Sequence, residues 1–360
     1  MQAGTAVEFV GARGNDMLKS SDASHVVRSR ASAWDGWVRG FIGALIAGLL
    51  LSAAPYATQS HAQEWPQRPV RFILPFGAGS AADTLARVIG EDLAARWGKA
   101  VVVENRPGAD GLLAINAVVG AKDDHMLLVT STGSFLAHPY MHKKLDYDFN
   151  RDLAPIARIA DTLLIVAVPQ TLKADTLAQF VELARAQPEL NLAASAGLTE
   201  FAVDAFLKSE NLKTVRVPYK ELAAAARDLA EGRIHFLLTS YAVVRPLVEA
   251  GKVKIIAAGS RERSPILKDI ASIPEQGSAM LAAETSTVVF GGAQMPPALR
   301  KKIADDIVAA LNDPKIRERV ALTGQDIAPS GPDELAQVVK RQFQKADTIA
   351  AALGMKRAEN

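Results

Sequence analysis

Short apolar segments alternate with segments of helical periodicity along most of this chain, and this alternation restricts the fold more than any other feature. A strand that is followed by a helix and then by another strand is typical of a parallel sheet. In the first part of the chain the predicted strands are 70–76, 100–104 and 126–130, and the predicted helices are 81–97 and 112–121. These segments predict an α/β fold.

The same alternation returns after residue 160, so we predict two α/β units followed by a helical tail. The strands predicted for the second unit are 163–168, 190–194, 215–218, 234–238, 253–258 and 285–290. The helices predicted between them are 177–186, 201–210, 222–231 and 243–250. Three further helices are predicted at 297–311, 314–323 and 332–353, and each of them begins with a proline. Proline suits the first helical position because it has no N–H, and an N–H at that position would have no acceptor within the helix.

The first 62 residues have the pattern of an export signal. Arg28, Arg30 and Arg39 precede an apolar run at 41–54, and an A-x-A-like site ends at Ala62. The run is shorter than the roughly 20 residues that span a bilayer. We therefore expect a periplasmic protein whose signal peptide is cleaved near Ala62, with an N-terminal membrane anchor as the alternative.

Charge and composition argue against several classes of function. The formal net charge is +2, and the charged residues of both signs are mixed along the chain, whereas nucleic-acid binders usually concentrate basic charge. The absence of cysteine excludes disulfides, thiolate catalysis and Cys-ligated zinc. No G-x-S-x-G, H-E-x-x-H or P-loop motif occurs. His125, His138 and His142 lack the spacing of a standard metal site. We therefore expect no enzyme, no cofactor, no bound metal and no nucleic-acid partner.

The loop between the first strand and the first helix is the best candidate for a binding site. Its glycines allow the backbone to approach a ligand, and the N–H groups at the start of the helix favour an anion without any basic side chain. Asp83, in the first helical turn, is expected to cap the helix. The candidate residues of this loop are Phe76, Gly77, Ala78, Gly79, Ser80 and Ala81.

The same loop also matches a dinucleotide-binding fingerprint, which is the main alternative. Gly77-x-Gly79-x-x-Ala82 follows a strand, and Glu104 ends the next strand, as in the Rossmann layout. The chain would then be an oxidoreductase that uses the GAGSAA turn. Export and the stiffening Pro75 argue against this reading.

Other polar residues follow later strands of both predicted units. In open α/β sheets ligands bind outside the carboxyl ends of the strands, so we expect these residues to face the first loop across a cleft. In the first unit they are Ser131, Thr132 and Ser134. In the second unit they are Ser195, Thr199, Tyr219 and Ser240.

Several segments resemble the receptor component of tripartite tricarboxylate transporters, the Bug-type solute-binding proteins. They include WPQRPVRFILPFGAGSAAD at 65–83, VVVENRPGADG at 101–111 and VPYK at 217–220. The resemblance implies a two-lobed fold like a type-2 periplasmic binding protein, with a ligand cleft between the lobes. Residues 63–166 with 287–360 would form lobe 1, and residues 167–286 would form lobe 2. The ligand carboxylate would be held by backbone N–H groups and hydroxyls rather than by arginine.

The resemblance further implies that the lobes close by a hinge over a small carboxylate, for delivery to membrane permease subunits by a monomeric receptor. The chain departs from the family pattern mainly in lobe 2, where Glu200 stands in place of a frequent histidine and Thr239-Ser240 in place of Asp-Asn. These departures leave open a sensor with no transport role. A bulky residue at Gly79 should abolish acid binding and leave the fold intact.

Overall fold

The computed structural model describes residues 65–219, 221–260, 262–321 and 323–358. The predicted signal peptide, with its cleavage site near Ala62, lies outside these residues. Within the described part of the chain, no helix combines the length and the apolar character that crossing a membrane requires.

The strands form two sheets. The first sheet has the order β11-β4-β10-β3-β1-β2. Its strands are β1 Val70–Leu74, β2 Val101–Asn105, β3 Met126–Ser131, β4 Leu153–Thr162, β10 Ser286–Gly292 and β11 Gln325–Ser330. The second sheet has the order β7-β6-β8-β5-β9. Its strands are β5 Leu164–Pro169, β6 Asn191–Ala194, β7 Val215–Arg216, β8 Phe236–Ser240 and β9 Val253–Ala258.

Helices follow most of the strands and cover the sheets. In the first part of the chain they are α1 Ala81–Trp97, α2 Leu112–Ala121, α3 Thr132–Met141 and α4 Phe149–Asp152. The helices of the middle part are α5 Leu177–Ala186, α6 Leu198–Ser209, α7 Leu222–Ala230 and α8 Tyr241–Glu249. The last three are α9 Pro297–Leu311, α10 Pro314–Ala321 and α11 Pro332–Leu353, and short 3-10 turns lie at Ala109–Gly111 and Ala279–Leu281.

Both sheets are mixed, so the parallel arrangement that the alternation of strands and helices indicates holds for only part of each sheet. Strand β1 pairs in parallel with β2 and β3, as expected. Strand β10 runs antiparallel to β3, with Thr287 opposite Ser131. The reason is topological: β3 ends at the sheet edge next to the cleft, and β10 begins there because it brings the chain back from the second sheet. Strand β5 likewise runs antiparallel to β8 and β9.

The two segments that connect the sheets lie side by side. The chain leaves the first sheet at Leu163, between β4 and β5, and returns just before β10. Here the Thr162 N–H donates a hydrogen bond of 2.8 Å to the Thr285 carbonyl oxygen. This geometry is compatible with a hinge, while the boundaries of the two lobes at residues 63–166, 287–360 and 167–286 stay a prediction.

The core is built from the apolar faces that the periodicity predicted. On α1, Leu85, Ile89 and Leu93 are fully buried, and they pack with strands of the first sheet and with α9. A second apolar cluster joins the other face of the first sheet to one face of the second sheet. It includes residues of α6 and α11. Each sheet is therefore covered on both faces, which leaves the strand ends as the place for a site.

Candidate functional site

A cavity of about 330 Å³ lies between the facing edges of the two sheets. On one side it is lined by residues at the ends of β1, β3, β4, β10 and β11, and on the other side by residues next to β5, β6 and β8. Phe76, Leu164, Leu198 and Leu222 supply apolar surface. Most other lining residues carry hydroxyl or methyl groups, and no described residue in the lining is charged.

Five helices begin at this cavity. Ala81 of α1, Gly133 of α3, Leu198 of α6, Leu222 of α7 and Ala242 of α8 all lie in a first helical turn and contribute to the lining. The first N–H groups of a helix have no acceptor within the helix, and the helix dipole places partial positive charge there. The cavity therefore favours an anion even though its lining has no basic side chain.

The loop before α1 is held by Asp83. The Gly79 N–H donates to Asp83 Oδ2 at 2.9 Å, and Arg87 Nη2 donates to Asp83 Oδ1 at 2.9 Å. Burial raises the pKa of the Asp83 carboxyl, but hydrogen bonds from Arg87, Gly79 and Asn105 outweigh this effect and keep the pKa below its ordinary value. Asp83 thus fixes the loop, and the Gly79 N–H is not free to bind a ligand.

Two serine hydroxyls of the first sheet remain able to donate into the cavity. Ser80 Oγ accepts from the Asp83 N–H at 3.2 Å, and Ser131 Oγ accepts from the Gly133 N–H at 3.3 Å. Each oxygen is an N-cap acceptor, so each O–H proton can still donate to another group. The hydroxyl of Thr199 differs, because it donates to the backbone carbonyl of Ser195.

Most of the residues predicted from the sequence come together at this cavity. Those that line it are Phe76, Ser80, Ala81, Ser131, Ser134, Ser195, Thr199 and Ser240. Gly77, Ala78 and Gly79 are exposed in the loop between Phe76 and Ser80 and do not contribute to the lining. A role in ligand binding for any of them remains a prediction.

Two predicted residues, Thr132 and Tyr219, do not contribute to the lining of the cavity. Thr132 is fully buried, and its Oγ1 accepts a hydrogen bond of 2.9 Å from the Ser286 N–H. Tyr219 packs against an apolar cluster of the second sheet, and its hydroxyl donates to Asp228 Oδ2 at 2.6 Å. Both hydroxyls are therefore already paired within the fold, although Ser131 and Gly133 on either side of Thr132 line the cavity.

Sequence reasoning missed the part of the lining that comes from β4, β10 and β11. These residues are Thr162, Thr285, Thr287, Thr323, Gly324 and Gln325. Strands β4 and β11 were not predicted, so nothing indicated that their ends reach the cleft. The alternating threonines of the predicted strand 285–290 were the available signal.

Glycines allow the two sides of the cleft to touch. A Cβ atom at Gly197, before α6, would lie 3.0 Å from the Gly133 carbonyl oxygen on α3. A Cβ atom at Gly324, before β11, would lie 3.1 Å from the Ala242 Cβ on α8. Both contacts join an element of the first sheet to one of the second, so the cleft is closed at these points.

The residues of the dinucleotide fingerprint have other partners. Glu104 would have to bind a ribose, but Glu104 Oε2 accepts from Arg71 Nε at 3.1 Å and Glu104 Oε1 accepts from Arg106 Nε at 2.6 Å. The hydrogen bond from Arg71 is the main cause that lowers the pKa of the Glu104 carboxyl. A dinucleotide site here would therefore lack a free carboxylate at Glu104 to bind the ribose.

Each of the three histidines lies beside another protein group. His138 is fully buried, and its Nε2 donates to the Asp110 carbonyl oxygen at 2.9 Å, which leaves Nδ1 to accept from the Tyr147 hydroxyl at 2.8 Å. Burial lowers the pKa of His138. His125 Nδ1 pairs with Asp124 Oδ1 at 2.6 Å, and the His142 ring lies 5.4 Å from that of His138.

The substitution Gly79→Val tests the role of the first loop. Gly79 has φ +81°, which a β-branched residue rarely adopts, yet a Cβ atom there would have nothing within 4 Å. We expect the loop to rearrange, the start of α1 to shift, and acid affinity measured by calorimetry to fall at least about 10-fold, since lost hydrogen bonds to a charged group cost about 1.5–3 kcal/mol.

The matched control is Gly98→Val, at the other end of α1, where φ is +62° and a Cβ atom would again meet open space. We expect both variants to lose a similar amount of stability and only Gly79→Val to lose affinity. Equal affinities in the two variants would show that the first loop does not hold the acid.

Comparison with protein families matches residues 85–355 to the family described as the tripartite tricarboxylate transporter family receptor, TctC. Among curated proteins, a UPF0065 protein of Bordetella bronchiseptica is 29% identical over 301 residues, which cover 83% of this chain and 89% of the relative. Protein BugT of Bordetella pertussis is 25% identical over 324 residues, covering 86% of this chain and 97% of the relative.

Solved structures share the fold. R. palustris Rpa4515 with adipate has a TM-score of 0.72 at 25% identity, over 81% of this chain and 99% of that one. Periplasmic binding protein BugD has a TM-score of 0.69 at 25% identity, over 81% of this chain and 100% of that one. The predicted α/β fold of the periplasmic-binding-protein type is thereby confirmed. The resemblance found in the sequence is confirmed as well, and the chain belongs to the tripartite tricarboxylate transporter receptor family.

Proposed function

We propose that this chain is a solute-binding receptor outside the cytoplasmic membrane, which captures a small carboxylate for a transporter of the tripartite tricarboxylate type. The observation that carries the proposal is the cleft cavity, in which helix N-termini and hydroxyls meet without a charged side chain among the described residues. The presence of adipate in a relative of the same fold supports a carboxylate ligand.

The acid would be held from both sides of the cleft. Its carboxylate would accept from the N–H groups of Ala81 and Ala82 and from the hydroxyls of Ser80 and Ser131, while Leu198 and Leu222 cover its carbon chain. A ligand that contacts both sides favours the closed arrangement, because its differential affinity shifts the equilibrium between open and closed forms. The segments at Thr162 and Thr285 would act as the hinge.

A closed, acid-loaded receptor would be the form that membrane permease subunits recognise. A sensor that binds the same acid without handing it on remains the second candidate, favoured by the changes at Glu200 and Ser240 in lobe 2. Both functions require the same binding site, so binding does not distinguish them. Uptake of the acid, measured in cells that contain or lack this protein, does.

The first test is thermal unfolding of the purified protein with a panel of mono- and dicarboxylates, aromatic acids and acidic amino acids. An acid present at a hundredfold excess over its Kd should stabilise the protein by about 2.7 kcal/mol. NAD serves as the control for the dinucleotide alternative and should cause no shift. Stabilisation by NAD, with no response to any acid, would contradict the proposal.

A further inference from the structure

Gln325 is a polar side chain of the cavity that reaches across one strand of the first sheet. It begins β11, lines the cavity and is only 4% exposed. Its backbone lies opposite Thr162 of β4, and its Oε1 accepts a hydrogen bond of 2.6 Å from Thr287 Oγ1 on β10. Since β4 lies between β11 and β10, the side chain passes over β4 toward the middle of the cavity.

This anchoring leaves the other end of the amide without a protein partner. An amide has one carbonyl oxygen and one NH₂ group with two donors, and they point in different directions. Thr287 holds the oxygen, and no described residue accepts a hydrogen bond from Gln325 Nε2. Gln325 Nε2 is not one of the fully buried polar atoms that lack a partner among the described residues, so an acceptor that enters the cavity can reach it.

The register of the sheet places this donor close to the expected carboxylate site. Thr287 is the direct partner of Ser131 in the β10–β3 pair, and Ser131 caps α3. Neighbouring strands lie about 4.8 Å apart. The amide is therefore about one or two strand spacings from the start of α3, which is the length of a short acid.

We infer that Gln325 Nε2 binds a second oxygen group of the captured acid, and that this contact makes the receptor selective for short acids with an oxygen acceptor at both ends. The inference rests on the proposed function. Thr287 is a positioning residue, because its hydroxyl proton is donated to Gln325 Oε1 and so orients the amide. An acid with only one carboxylate would leave the Gln325 donor unpaired.

The test is calorimetric titration with pairs of acids of equal chain length: succinate with butanoate, glutarate with pentanoate, and adipate with hexanoate. The native protein should prefer the dicarboxylate of at least one pair. In the variant Gln325→Leu, affinity for that dicarboxylate should fall about 10- to 100-fold, as for a lost hydrogen bond to a charged group. Affinity for the monocarboxylate should stay within about 2-fold.

The control variant is Gln337→Leu, which changes an exposed glutamine on α11 outside the cavity and should leave both affinities unchanged. A native protein that binds acids but prefers the monocarboxylates, or a Gln325→Leu variant that weakens both members of a pair equally, would overturn the inference. A native protein that binds no acid at all would instead reject the proposed function.

A second variant keeps the test decisive if Gln325→Leu fails to fold. Thr287→Val keeps the shape of the side chain and removes the hydroxyl that orients the amide. It should lower the preference for the dicarboxylate without changing affinity for the monocarboxylate. An unchanged preference in Thr287→Val would count against the inference in the same way.

Discussion

Replacing Ser134 with aspartate is expected to abolish acid binding without weakening the fold. Ser134 lies in the first turn of α3 and lines the cavity. A carboxylate at this end of a helix interacts favourably with the helix dipole, by about 0.3–1 kcal/mol. The same carboxylate would stand beside the ligand, where two like charges about 4 Å apart repel by about 4 kcal/mol at an effective dielectric constant of about 20. Affinity measured by calorimetry should fall at least about 100-fold.

The control for this variant is Ser134→Asn, which adds a side chain of nearly the same size and no charge. We expect it to keep most of the affinity, and chemical denaturation should show Ser134→Asp to be at least as stable as the native protein. Retained binding in Ser134→Asp would mean that the acid does not lie at the start of α3. A similar loss in Ser134→Asn would assign the effect to size rather than charge.

The second large effect is expected from Gly324→Ala, which should hinder closure of the cleft. A Cβ atom here would lie 3.1 Å from Ala242 Cβ and 3.2 Å from the backbone nitrogen of Ala242. These contacts are with backbone and a short side chain, so the two sides of the cleft would have to separate. Because the proposed ligand would contact both sides, we expect affinity to fall about 10- to 100-fold, the loss of one or two good contacts.

The backbone at Gly324 adds a separate cost, since φ is +69° and a left-handed residue other than glycine costs about 1–2 kcal/mol. Gly251→Ala is the matched control, because φ is +64° and a Cβ atom would meet nothing within 4 Å. Both variants should lose similar stability in denaturant, and only Gly324→Ala should lose affinity. If Gly251→Ala loses as much affinity as Gly324→Ala, backbone strain rather than cleft closure explains the result.

The sequence was sufficient to predict the parallel part of the fold, because its strands and helices have clear periodicity. On α1 the buried residues Leu85, Ile89 and Leu93 repeat at every fourth position, as an amphipathic helix requires. The loop at Ser80 and the strand end at Ser131 could also be predicted to lie at the cleft, because ligand sites lie at the carboxyl ends of parallel strands.

The strands that complete the first sheet could not be predicted because their local sequences lack the usual signals. Strand β4 contains Pro155 and a burial pattern that does not alternate, and β11 is short, polar and mostly half-buried. Helix α3 was missed because Gly133 and Pro139 lie within it. These elements are fixed by pairing and packing between distant parts of the chain, which a local pattern does not contain.

The same limit explains why two predicted site residues are absent from the lining of the cavity. Tyr219 and Thr132 follow strands as the other candidates do, but their hydroxyls are taken by Asp228 and by the Ser286 N–H. Gln325 could not be proposed, because its position at the cleft depends on the pairing of β11 with β4. Only the three-dimensional arrangement shows which polar groups are already satisfied and which remain free for a ligand.

A crystal structure of the protein with the acid that binds most tightly would test the central claim most directly. We predict that the carboxylate lies in the cavity between the two sheets, with its oxygens about 2.7–3.2 Å from N–H and hydroxyl donors at the starts of α1 and α3. No lysine or arginine side chain should contact it. An acid bound to a basic side chain, or bound outside this cavity, would contradict the account.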